Sequence, residues 1–235
     1  MTTPIDPRPQ QPQLEPQQPE PSPNEALRER LTHGSARLWV LLATTLVWVM
    51  DVSLFNHIKA HHIVANTYNE ALQRIEQAST VTFVIMTIGL AQALFRSRQT
   101  QLFRWALAYL VVSMVQVVAN VVSMVATAST VEGGGLTGLW DVAAVYMQSV
   151  VVFMFIYIFL DVSTPGGAFV WPSRDGEPPP TPHVIDYLFI SLNVNSTYGP
   201  TSETVMSRPA KLFMALQVIL AIMMLTVLIA RAVSA

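Results

Sequence analysis

Five apolar stretches constrain this chain more than any other feature. They are Leu38–Leu54, Gln77–Phe95, Trp105–Ala126, Val142–Leu160 and Leu212–Ala230. Each approaches the roughly 20 residues that carry an α-helix across the hydrocarbon core of a bilayer. The second and fifth hold 19 consecutive uncharged residues apiece. The first is shorter and carries Asp51. Hydrocarbon offers no partners to backbone N–H and C=O groups, so a spanning segment of this kind satisfies them internally, as a helix. The expected fold is an all-α membrane protein, a five-span helical bundle in the cell membrane.

Composition agrees. Of 235 residues, 51% are hydrophobic and 12% charged, about half the charge usual in a globular domain. A net charge of −2 with no strong basic cluster argues against a nucleic-acid partner. The absence of cysteine removes disulfides, thiolate metal sites and cysteine nucleophiles from consideration.

The chain divides into three parts. Residues 1–36 form a Pro/Gln-rich tail and a short basic segment, and eight of the 16 prolines fall before residue 26. With so little apolar surface to bury, this tail is expected to be disordered, and it would suit recruitment of a protein partner. It lacks the early apolar run of a secretory signal. Residues 37–138 hold three spans, and residues 139–235 hold two.

Between the last two spans lies Val184–Leu192, VIDYLFISL, followed by the polar run NVNSTYGPTSE. Nine helical residues rise about 14 Å, half a bilayer. A short apolar helix followed by polar backbone has the pattern of a re-entrant half-helix. Irregular backbone at membrane depth is tolerated only when buried in protein or facing water. Earlier, Thr67 and Glu70 have capping-box spacing, so a helix is expected to begin there and run into the second span.

Basic residues sort across the five spans. The tail, the second–third loop and the fourth–fifth loop carry ten of the 13 Lys and Arg residues, the other side three. The positive-inside rule therefore predicts a cytoplasmic N-terminus and a cytoplasmic entry for the half-helix.

Few residues are candidates for chemistry. Asp51 is the one acidic residue inside a predicted span. It would bind a cation or relay protons if it faces the bundle, or snorkel to water if it sits near the interface. His57 and His61 stand four apart, with His62 beside them, without the HExxH pattern of a metalloprotease. They read as solvated loop histidines or as a weak metal or pH-sensing site. Gln116, Asn120, Gln148 and Gln217 lie mid-span, where amides either bond between helices or border a polar path. No catalytic constellation, phosphate loop or cofactor fingerprint is present, so no enzymatic activity and no cofactor are expected.

Residues 142–235 resemble the two-transmembrane pore-loop module of potassium-channel-like proteins. Asp186–Tyr187–Leu188–Phe189–Ile190–Ser191 is similar to that module's pore-helix pattern, and Asn195–Ser196–Thr197–Tyr198–Gly199 falls where its filter lies. The segment resembles more closely a set of uncharacterised bacterial integral-membrane proteins with a degenerate pore-loop segment. The filter pattern itself is altered. Thr197 replaces its first glycine and Pro200 its acidic residue. Aligned instead from Asp186, Gly199 takes the first glycine and Pro200 the tyrosine. The family's loop also enters from outside, opposite to the charge count here. The resemblance implies pore-loop candidates at Asp186, Asn193, Asn195, Ser196, Thr197, Tyr198 and Gly199, and a homo-oligomer. The expected function is a non-enzymatic membrane scaffold or accessory protein built on this module. The alternatives are a homo-oligomeric ion channel and a small cation- or proton-coupled transporter using Asp51.

Overall fold

The computed structural model describes residues 42, 44–50, 52–53, 81–93, 99–127, 136–173, 180–199 and 203–234. The tail, Asp51, the histidines at 57, 61 and 62, and the capping box at Thr67 lie outside the described residues. Residues 44–50 are helical. The further elements are α1 (Val81–Ala93), α2 (Gln99–Thr127), α3 (Leu136–Ser163), β1 (Phe169–Val170), α4 (Val184–Asn195), β2 (Thr204–Val205) and α5 (Arg208–Ser234).

Three helices are long and apolar enough to cross a membrane, over Gln101–Val122, Trp140–Ser163 and Arg208–Ala230. At 22 to 24 residues each would run about 33–36 Å, against a hydrocarbon core of about 30 Å. These are the third, fourth and fifth spans of the sequence. Within the first two expected spans, the described helical residues are fewer than a crossing needs.

The exposed faces are apolar, as in a membrane protein. On α2, Leu107, Val111, Val115 and Val122 are exposed, and on α5, Ile219, Ile222, Leu225 and Ile229. In water such stripes would be a liability, whereas in a bilayer they face lipid. The core sits around α3, whose Val150, Val152, Phe153 and Tyr157 are buried among α2, α4 and α5. Gly89 lets α1 approach α2 closely, since a Cβ there would fall 2.5 Å from the Trp105 ring. Tyr109 of α2 donates to the Thr44 carbonyl at 3.0 Å and meets the edge of Phe83.

Local chemistry sets the joints. Thr164–Pro165–Gly166–Gly167 makes a type II turn, with Gly166 at φ +77° and Gly167 N–H donating to the Thr164 carbonyl at 2.9 Å. β1 then pairs antiparallel with β2, Phe169 opposite Val205. Ser207 caps α5, its hydroxyl accepting from Ala210 N–H at 3.1 Å. The β1–β2 pair thus brings the end of α3 beside the start of α5. The ring contact of Phe103 with Phe159 brings the start of α2 to the same end. The exposed cations Arg104, Arg208 and Lys211 therefore share one end of the bundle.

Candidate functional site: the α4 hairpin

Helix α4 begins and its return strand ends at one end of the α3–α5 pair, while its tip reaches far along α3. Asp186 starts it. Its carboxylate accepts the His183 backbone N–H at 2.6 Å, half of a capping box, and a negative charge suits a helix N-terminus. One residue on, the Tyr187 hydroxyl donates to Asp161 near the end of α3. Asp161 is 1% exposed and its other oxygen accepts from Ala168 N–H at 2.6 Å and Phe169 N–H at 3.1 Å. One buried carboxylate thus joins α3, β1 and α4. Around it, Tyr157, Phe169, Trp171 and Tyr187 pack ring to ring with centroids 5.3–6.2 Å apart. Each such pair contributes about 0.5–1.5 kcal/mol beyond its buried area.

A second polar knot lies deeper. Ser191 donates to the Val150 carbonyl at 2.8 Å. Gln217 of α5, fully buried, gives its amide N–H groups to the Ser191 carbonyl at 3.0 Å and the Ser191 hydroxyl at 2.9 Å. Its amide oxygen accepts from Tyr157 at 2.5 Å. Asn195 Oδ1 stands 3.5 Å from the same Gln217 nitrogen. On the opposite flank of α3, Asn120 donates to Gln148 at 2.9 Å and accepts from Gln116 at 3.5 Å. Asn120, Gln148 and Gln217 therefore bond between helices, while Gln116 meets Asn120 one turn along α2.

The tip is a helix cap. Thr197 N–H donates to the Val194 carbonyl and Tyr198 N–H to the Asn193 carbonyl, both at 3.0 Å, the pair of bonds that defines a Schellman motif. Gly199 N–H also points to Asn193 O, at 3.3 Å. Thr197 adopts φ +66°, a left-handed conformation unusual for a β-branched side chain. Ser196, Thr197 and Tyr198 are exposed, Tyr198 to 83%. The Ser196 and Tyr146 hydroxyls lie 3.5 Å apart. Tyr146 sits six residues from Trp140 and 17 from Ser163, about 9 Å and 26 Å along α3. The tip is thus well inside the length of α3.

The structure brings Asp186, Asn193, Asn195, Ser196, Thr197, Tyr198 and Gly199 into one hairpin, in two roles. Asp186 caps the start. The others form the end and its turn, with Asn195 buried and residues 196–198 outside. Asp161 was visible in the sequence only as a charge flanking a span. The signal that marks it is DVSTPGG, an acidic residue just before a Pro-Gly-Gly turn whose N–H groups need an acceptor. No group of residues suited to a metal ion occurs among the described residues. Comparison of the chain with protein-family models, curated proteins and solved structures found no match.

Proposed function

We propose that this chain is a non-enzymatic membrane scaffold or accessory protein, with residues 184–203 as a re-entrant hairpin that serves structure. The single observation that carries this reading is the use of the Asn193 and Val194 carbonyls within the α4 cap. A potassium-type filter replaces ion hydration with a row of carbonyls aimed at the pore. Here the N–H groups of Thr197, Tyr198 and Gly199 fold back onto the Asn193 and Val194 carbonyls, so the segment where the resemblance places a filter curls into a helix cap instead of extending as a row. The proposal includes five spans, with 38–54 and 77–95 completing the bundle. It also includes a cytoplasmic N-terminus, a protein partner for the tail, and entry of the hairpin from the cytoplasmic side. The shared end of Arg104, Arg208 and Lys211 supports that orientation.

The test is flux through the purified protein in liposomes, across voltage and pH. No flux is expected, and monovalent cation flux abolished by a bulky apolar residue at Thr197 would overturn the scaffold reading. Orientation is read separately from Met206→Cys, an exposed site beside β2 in a chain with no other cysteine. Labelling by an impermeant reagent from outside intact cells would reverse the topology.

One observation favours the channel alternative. Ser196, Thr197 and Tyr198 are exposed inside the length of α3, where a homo-oligomer would gather polar tips around water. The transporter alternative rests on Asp51, and loss of pH-dependent transport in Asp51→Asn would be its mark.

A further inference from the structure

Two buried polar atoms beneath the hairpin have no hydrogen-bond partner among the described residues, Ser149 Oγ and Asn195 Nδ2. Ser149 is 0% exposed and Asn195 4%. Polar groups so buried are almost always satisfied, by protein or by ordered water.

Both belong to one junction. On α3, Tyr146, Ser149, Phe153 and Tyr157 follow one another at three- and four-residue steps, which places them on one helix face. Tyr146 meets Ser196 of α4, and Tyr157 meets Gln217 of α5, so this face is turned to α4 and α5. Ser149 lies between them, next to Val150, whose carbonyl holds Ser191. On α4, Asn195 is one turn beyond Ser191 and on the same face. Both atoms therefore lie within about a turn of the Ser191–Val150 bond.

Asn195 Oδ1 faces the Gln217 nitrogen, and turning the amide over would set two NH2 donors against each other. Nδ2 must therefore find its acceptor elsewhere. The side chains named at this junction are hydroxyls and amides, and the described carboxylates of these helices, Asp141, Asp161 and Asp186, are two or more helical turns along their own helices from Ser149 or Asn195. A cation would go uncompensated there, and an organic ligand would need space that a close-packed interior rarely has. The group that matches is small, neutral and both donor and acceptor.

We infer that the α3–α4–α5 junction is a binding site for ordered water, which accepts from Asn195 Nδ2 and exchanges a hydrogen bond with Ser149 Oγ. Buried waters typically make about three such bonds. The site lies partway along α3 beneath the hairpin, and it holds whether or not the protein conducts.

Solid-state NMR on the full chain in lipid bilayers, with 15N-labelled Asn and Gln, tests this. Polarisation transfer from a slowly exchanging water to the Asn195 Nδ2 protons is expected, and Ser149→Ala should weaken or abolish it. The Asn120 amide, bonded to Gln148, is the internal control and should show no such transfer. Absence of transfer in the unmodified chain overturns the proposal. So does transfer that Ser149→Ala leaves unchanged. Transfer at the exchange rate of bulk solvent also overturns it, because the junction would then be an open vestibule.

Discussion

The Tyr187 hydroxyl donates to the Asp161 carboxylate at 2.5 Å, tying the first turn of α4 to the end of α3. Two backbone N–H groups of the intervening turn and strand complete the carboxylate's set of donors. A buried charge is tolerable only when it is met in this way. The first turn of α4 is thereby tied to α3 and β1 through one carboxylate.

Tyr187→Phe keeps the ring in its aromatic contacts and removes one donor. A hydrogen bond to a charged group contributes about 1.5–3 kcal/mol, so a loss of that order is expected in thermal unfolding followed by circular dichroism. Asp161→Ala strands three donors and should cost more. An unchanged midpoint in Tyr187→Phe would show that this bond carries none of the hairpin's stability.

Gly167→Ala and Gly166→Ala should differ although both sites have positive φ. The left-handed backbone alone costs a side chain about 1–2 kcal/mol. At Gly166 a Cβ meets nothing within 4 Å, whereas at Gly167 it falls 3.0 Å from Asp161 Oδ1 and 3.3 Å from the Phe169 carbonyl. The same unfolding assay should rank Gly167→Ala as the more damaging, and equal midpoints would contradict the crowding.

Thr197→Gly should stabilise the protein by about 1 kcal/mol, because glycine adopts the left-handed C-cap position without the side-chain penalty. The substitution also places a glycine where the pore-loop resemblance puts the filter's first one. Under the scaffold proposal it raises the unfolding midpoint and produces no flux in liposomes. Cation flux gained by this variant would support the channel alternative instead.

Tyr157→Phe and Gln217→Leu should be coupled. Interhelical polar bonds in membranes average about 0.6 kcal/mol and reach about 1.7. A double-mutant cycle on unfolding free energy should return a coupling in that range. Zero coupling would mean that the Tyr157 bond plays no part in holding Gln217.

Gly89→Ala places a methyl group where the Trp105 ring now lies, so α1 or the indole must shift. A lower unfolding midpoint and a change in tryptophan emission are expected, and rescue by Trp105→Leu would locate the clash.

Much of this arrangement was legible along the chain. Runs such as WALAYLVVSMVQVVANVVSMVA carry their message in composition and length alone, since hydrocarbon sets both. Val184–Leu192 could be recognised for the same reason as an apolar helix too short for a full crossing, whereas Asp186 was marked only by the pore-helix resemblance. The mid-span amides were readable as polar but not as paired. Whether Asn120 meets Gln148, or Gln217 meets Tyr157 and Ser191, depends on which helix faces turn together.

Local and solvent-driven terms are written in the sequence, so the sequence by itself determined the apolar helices, the half-length segment and the uneven distribution of charge. The tertiary structure alone decided that Asp161 would be the hairpin's anchor, and that Asn193 and Val194 would spend their carbonyls on a cap. It also decided that Ser149 and Asn195 would share one buried junction. Those outcomes depend on contacts between residues far apart in the chain, in directions that no single helix specifies.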